Sequence, residues 1–374
     1  MNREYDVVVI GAGIAGASAA ALLAADAKVA IVEREGGPGY HATGRSAAYF
    51  APAYGNATVR NLTAASAEFF YSPPPGFTDV PLIRPRQALF VARATQAEST
   101  TAMRAENSSL QPVDREFMST RVPIINSDVI HHGLLDEAGG DLNVDAILQG
   151  FLRLFRTRGG DLYTNTTIDN VVYRQGMWQI DLPDGMLRTP VIVNAAGAWA
   201  DGVAELAGLG ALGIVPKRRT ALLVDGPTDV EFADWPLVID MDENFYFKPD
   251  AGQLLVSPAD ETPSPPCDAQ PDELDVAIAI ERFTEVTTLP VSRVRHRWAG
   301  LRTFAPDKTF VVGFDPRASG FFWLAGQGGY GVQSSPGMAQ LARHLLLGTT
   351  VPDGFASIVE STSAVDPARL IQHA

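Results

Sequence analysis

Cysteine is almost absent from this chain: among 374 residues, Cys267 stands alone. One thiol cannot close an intrachain disulfide, and it cannot build a Cys-based structural zinc site. Basic residues are also scarce. Lys and Arg number 29 against 43 Asp and Glu, for a formal charge of −14. That balance repels phosphate and disfavours non-specific nucleic-acid binding. No apolar run approaches the ~20 residues needed to cross a bilayer. The opening MNREYDVVVI lacks the basic region, long apolar run and cleavage site of a signal peptide. A cytoplasmic protein without an integral membrane segment is the simplest expectation, with peripheral membrane contact open. His41, His131, His132, His296 and His344 show no metal-ligand spacing, so no metal site is expected.

What is present is enough apolar residue for sizeable cores, 46%, with only 19% charged. This argues against disorder. The length fits two domains, or one nucleotide domain carrying an inserted second one. Tyr5–Ile10 reads as a buried strand, Ile14–Ala25 as a tightly packed helix, and Lys28–Val32 as a second strand. Helix period marks Asp145–Thr157. Short strands follow, among them Ile168–Tyr173, Met177–Leu182 and Val191–Asn194. The Pro-rich segment Thr262–Asp272 reads as an exposed loop in which Cys267 is incidental.

Between the first strand and helix lies GAGIAG, with glycines at Gly11, Gly13 and Gly16. The first permits the tight turn, the second a close approach to a pyrophosphate, and the third close helix–strand packing. The helix start at Ile14 and Ala15 then offers free N–H groups to phosphate. Glu33 ends the second strand about 20 residues on, where an acid accepts ribose hydroxyls and disfavours a 2′-phosphate. The motif alone does not separate NAD from FAD. Two later stretches favour FAD. VIVNAAGAWAD (Val191–Asp201) is a strand running into small residues and a helix. GQGGYG (Gly326–Gly331) is a flexible turn before another helix, whose N–H groups could face the pyrimidine end of an isoalloxazine.

GAGIAGAS, VEREGGPGYHATGRSAA, NAAGAWAD, PKRR, FYFKPDAG, WAGLR and GQGGYG occur in this order over nearly the whole chain. Together they resemble the D-amino-acid-oxidase-like family of flavoenzymes, and within it the bacterial D-arginine dehydrogenase type. The resemblance implies an α/β plus α+β protein. A glutathione-reductase-type FAD-binding Rossmann domain would cover 1–47, 141–210 and 294–374. A substrate domain on a mixed, largely antiparallel sheet would cover 48–140 and 211–293. It implies non-covalent FAD, held by Gly11, Gly13, Ile14, Ala15, Gly16, Glu33, Arg34, Thr43, Gly44, Arg45, Ser46, Val171, Ala195, Ala196, Gly197, Trp199, Gly300, Gly328, Gly329, Gly331 and Val332. It also implies oxidation of an amino acid by hydride transfer from the α-carbon to flavin N5. The imino acid would hydrolyse to a 2-oxo acid and ammonia, and oxygen, a quinone or another acceptor would take the electrons.

A substrate carboxylate calls for a planar, doubly donating cation. By resemblance the candidates are Arg302 in WAGLR and Arg219 in PKRR, with the Tyr246 hydroxyl joining the clamp. Strand alternation sets Tyr246 on the face opposite Phe245 and Phe247. Tyr54 would meet the substrate amine or a water, and a backbone carbonyl at Gly329 or Tyr330 would accept from the ammonium. Lys248 is a possible flavin-side lysine. No side chain stands out as a strong general base, which suits chemistry carried by a flavin.

The sequence departs from the arginine dehydrogenase pattern at two pocket positions. Tyr49 replaces a histidine, and Ala88 replaces the glutamate that pairs with the guanidinium. A buried guanidinium without its carboxylate is costly. D-Arginine is therefore expected to be a poor substrate, and Ala88 with Phe90 suggests neutral, apolar side chains. Arg84 and Arg86 raise a weaker possibility of an acidic one. Glycine or sarcosine-type secondary amines, 2-hydroxy acids, and a non-catalytic flavoprotein are the alternatives.

Overall fold

The structure is a computed structural model and describes residues 2–371. It has a two-domain α/β architecture built on two large sheets. The first has six strands in the order Asp161–Tyr163, Val29–Val32, Val7–Ile10, Val191–Asn194, Phe321–Ala325, Val311–Phe314. The first five run parallel and the last antiparallel. Every residue of Val7–Ile10 and of Val29–Val32 is buried, as expected where both faces of a parallel sheet are covered. On one face, helix Ile14–Leu23 packs between helices Val144–Thr157 and Ser335–Leu347. On the other, a four-stranded sheet brings Val171, Trp178, Ile180 and Leu187 against Val8, Ile192 and Trp323.

The second sheet has nine strands. Its order is Thr262–Pro263, Val215–Val224, Gln253–Ser257, Tyr246–Asp250, Leu237–Asp240, Ala88–Ala92, His132–Asp136, Gln111–Val113, with Val294–Phe304 paired along Val215–Val224. Only the Leu237–Asp240 and Ala88–Ala92 pair is parallel. Helix Glu273–Val286 covers one face through Val276, Ala279 and Phe283. The expected partition put residues 294–304 with the cofactor segments, yet this strand hydrogen-bonds into the larger sheet. Alternation shows that a segment is a strand, but not which neighbour it pairs with.

Some boundaries also differ from the sequence expectation. Helix Ala57–Tyr71 starts where Asn56 caps it, accepting from Val59 N at 3.0 Å. The sequence reading assigned nothing to helices Ala97–Glu106 and Arg115–Arg121. Among the described residues, no helix is long and apolar enough to cross a membrane.

Candidate active site

A cavity of about 560 Å³ runs from the GAGIAG turn to the inner face of the larger sheet. Gly11, Gly13, Ile14 and Ala15 line it. Gly11 has φ +103°, and a Cβ at Gly16 would lie 1.9 Å from the Gly11 carbonyl oxygen. Only glycine permits that approach of helix to turn. Glu33 is held by two backbone donors, Ala12 N at 2.7 Å and Glu35 N at 2.9 Å. Beside it, the Arg34 guanidinium lies 4.4 Å from the centre of the Trp199 ring. Ala195, Ala196 and Gly197 continue the wall.

The loop after the second strand folds over this cavity. Thr43 Oγ1 accepts from Ile14 N at 3.0 Å, capping the helix start. Gly44 supports the turn, donating to the Gly39 carbonyl at 2.7 Å, but it does not reach the cavity lining. Arg45 and Ser46 do. Arg45 also bonds the Ala269 and Ala299 carbonyls at 2.9 and 3.0 Å and pairs with Asp268. This ties the loop to the segment Thr262–Asp272. Val171 is placed differently from the expectation. It lies in the four-stranded sheet, buried on the face toward the six-stranded one, and Thr166, Thr167 and Ile168 line the cavity instead. The strand there begins only at Asn170, so the residues before it form the loop that faces the cavity.

Gly300, Gly328, Gly329, Gly331 and Val332 line the far end. Gly326 and Gly328 adopt φ +68° and +50°. Gln327 also lines the cavity, and its buried amide Nε2 has no hydrogen-bond partner. An orphaned buried donor is uncommon in a folded protein. Its position suits a ligand rich in acceptors, such as a flavin. The span of lining residues from Gly11 to Gly329, the glycine cradle and the Glu33 carboxylate fit a dinucleotide laid between the two ends.

The larger sheet supplies the other wall. Arg219, Tyr246 and Arg302 line the cavity together, although they come from three strands. Phe245 and Phe247 point into the opposite core. Arg302 is half-buried and packs against Gly329, where a Cβ would lie 2.7 Å from Nη1. No carboxylate among the described residues lies within ion-pair distance of it. Burial alone would lower its pKa. The neighbouring Tyr246, Tyr54 and Tyr330 more than offset this and hold it above its ordinary value. The Tyr54 and Tyr330 rings meet at a tilt of 58°, 5.0 Å between centroids. They adjoin the cavity lining and do not form part of it. Burial, then Glu243, pushes both phenols up, Tyr54 most strongly. Arg219 is buried and already engaged: Nε donates to the Asp260 carbonyl at 2.8 Å, and Nη2 lies 3.3 Å from Glu261 Oε1.

Several other candidates lie elsewhere. Tyr49 donates to the Arg86 carbonyl at 2.7 Å, and Ala88 is buried in a cluster with Phe90, Leu134 and Met241. Neither lines the cavity. Lys248 is buried against Asp141 at 2.8 Å, so it is no flavin-side lysine. Arg86 pairs with that same Asp141, and Arg84 with Asp234 at the surface. His296 is exposed.

The sequence pattern of the FAD dependent oxidoreductase (DAO) family matches residues 6–345. The chain belongs to this family. FAD is its cofactor. Relatives include FAD-dependent oxidoreductase domain-containing protein 1 of Xenopus laevis, 27% identical over 51% of this chain. The chain spans only 41% of that protein's length. L-Proline dehydrogenase from P. horikoshii superimposes with a TM-score of 0.83 at 19% identity, over 100% of this chain and 99% of its own. Glycine oxidase from Geobacillus kaustophilus gives 0.81 at 19% identity, over 94% and 98%.

Within this DAO-family frame, sequence reasoning missed three features of the cavity. Thr166–Ile168 carried no motif. Gln327 sits inside GQGGYG but was passed over for the glycines around it. Cys267, expected to be incidental, lines the cavity from an exposed loop. The loop's tie to Arg45 spans more than 200 residues of chain, and no local signal announces it.

Proposed function

We propose that this protein oxidises the carbon–nitrogen bond of amino acids, taking D-amino acids without a cationic side chain. The observation that carries the reading is Arg302, a cation with no carboxylate partner among the described residues, beside three tyrosines and facing the FAD cavity. A planar guanidinium in that setting matches both oxygens of a substrate carboxylate. FAD, when bound, supplies the two-electron acceptor for the hydride that leaves the α-carbon. Tyr246 adds a hydroxyl to the carboxylate end. The Gly329 carbonyl accepts from the ammonium, since that of Tyr330 is already taken by Ser334 N and Oγ at 3.1 and 2.8 Å. Tyr54, kept as a neutral phenol, orders the amine or a water that takes its proton. Residues 48–140 and 211–293 carry the substrate domain in this reading. The D-configuration is taken from the motif resemblance. The narrower expectation of apolar side chains rested on Ala88, which lies outside the lining, so only the exclusion of a cation is kept. A cationic side chain would meet Arg219 and Arg302 without a free acid.

A second reading is a secondary amine such as sarcosine or proline. The likeness to proteins named glycine oxidase and L-proline dehydrogenase favours it. Turnover of purified, FAD-loaded protein tests both. The panel is D- and L-methionine, D-arginine, glycine, sarcosine and proline, each with a dye acceptor and with oxygen alone. We expect D-methionine to react and D-arginine to be at least tenfold weaker. Faster turnover of sarcosine or proline would move the assignment to the second reading. Silence across the panel with FAD bound would overturn both.

A further inference from the structure

The sheet face that carries the carboxylate clamp continues past the cavity lining, which ends at Arg219 and Arg302 on this row, to Lys217 beside it. In the antiparallel register Arg219 lies opposite Gly300, and Lys217 lies opposite Arg302. Alternation therefore puts Lys217 on the same face as Arg219 and Arg302, one step toward the rim. Cations placed directly opposite each other on one face of a sheet repel. Lys308 adds a fourth charge. The Lys217 and Lys308 ammonium groups lie 5.2 and 5.9 Å from the centre of the Phe304 ring. That ring packs under Gly328, where a Cβ would lie 2.6 Å from it, just as Arg302 packs under Gly329. The lysine pair thus adjoins the clamp residue by residue.

The acids nearby do not balance this charge. Glu261 alone serves three of the four cations: Lys217 at 2.9 Å, Arg219 at 3.3 Å and Lys308 at 3.6 Å. Burial pushes its pKa up, but the Lys217 hydrogen bond and the charges of Lys308, Lys217 and Arg219 hold it below the usual carboxylate range. Glu243 lies beyond Tyr54. Asp260 turns its carboxylate to Thr220 and pairs at 3.9 Å with Arg218, a further cation outside the four. Counting Glu243 and Glu261 as fully charged still leaves the four cations in excess. One substrate carboxylate on Arg302 does not consume that excess. Lys308 is 60% exposed.

We propose that Lys217 and Lys308 form a second anion subsite beside the Arg302 clamp, so that the preferred substrate is an amino acid carrying a second carboxylate. The inference rests on the proposed function only in taking Arg302 as the first carboxylate's anchor. The second carboxylate displaces or shares the lysines now held by Glu261. Arg84 and Arg86, the cations that hinted at an acidic substrate from sequence, play no part.

The test is a binding titration that needs no turnover. Flavin absorbance of the FAD-loaded protein is followed with acetate, propionate, malonate, succinate and glutarate at constant ionic strength. We expect one dicarboxylate to bind at least tenfold more tightly than either monocarboxylate. Lys308→Gln and Lys217→Gln should each remove most of that advantage and leave acetate binding within about twofold. Glu261→Gln should strengthen dicarboxylate binding. Equal affinity for mono- and dicarboxylates would overturn the subsite. So would lysine variants that weaken acetate and succinate alike, because that marks a merely structural ion pair. If no carboxylate perturbs the flavin at all, the Arg302 anchor itself has failed. If dicarboxylates bind while no amine is turned over, the subsite stands and the amine reading falls.

Discussion

The Tyr54 hydroxyl donates to Glu243 Oε2 at 2.8 Å, joining a loop of the first 60 residues to a turn of the larger sheet. Burial and this acid together keep Tyr54 protonated well beyond the ordinary phenol range. Tyr330 shifts the same way. Between pH 7 and about 10, then, neither phenol ionises. The rise of kcat/KM with pH should follow the substrate ammonium alone, shifting when a substrate of different amine pKa is used. An inflection that stays put across substrates and vanishes in Tyr54→Phe would refute this. The stability consequence has a definite sign. The native state holds these protons more tightly, so stability is intact below about pH 10 and falls as pH rises beyond it.

Arg302→Ala should lower kcat/KM by roughly 100-fold or more, since it removes two charge-assisted hydrogen bonds to the carboxylate, each contributing about 1.5–3 kcal/mol. The yellow colour should remain, because other residues hold the cofactor. Arg302→Lys should recover only part, lacking the planar fork. Steady-state kinetics with a flavin spectrum for each variant checks this, and a variant at full activity would remove the clamp.

Tyr246→Phe deletes one hydroxyl at the carboxylate end and leaves the ring in place. The expected loss is roughly fivefold to tenfold, the scale of one hydrogen bond, and it should appear mainly in KM. A change confined to kcat would assign the hydroxyl to the reacting amine instead.

Gly16→Ala tests the cofactor turn. The new methyl would meet the Gly11 carbonyl at 1.9 Å, and both groups are backbone-anchored, so turn and helix must separate. The variant should purify with little FAD or fail to accumulate. Titration of apoprotein with FAD gives the answer, and unchanged affinity would rule out the packing argument.

Cys267 lines the cavity from an exposed loop, which makes the non-covalent expectation worth checking directly. Acid precipitation should leave all the yellow colour in the supernatant, and Cys267→Ser should change neither the spectrum nor FAD content. Colour retained in the pellet would mean covalent attachment.

The amino-acid sequence by itself determined the parts that depend on short-range chemistry. Gly11 and Gly16 announce a turn that only glycine can make, Val7–Ile10 and Val29–Val32 announce buried parallel strands, and Glu33 follows at the spacing a ribose requires. Strand alternation alone sets Tyr246 opposite Phe245 and Phe247. Tertiary structure alone decided the rest, because pairing partners and long-range contacts leave no periodic trace. It moved Val294–Phe304 into the larger sheet and so set Lys217 opposite Arg302. It buried Ala88 and Lys248 away from the cavity, engaged Arg219 with Glu261, and left Arg302 without a carboxylate among the described residues. A side chain's charge can be read from the sequence. Whether that charge is already neutralised depends on what the folded chain brings within about 4 Å of it.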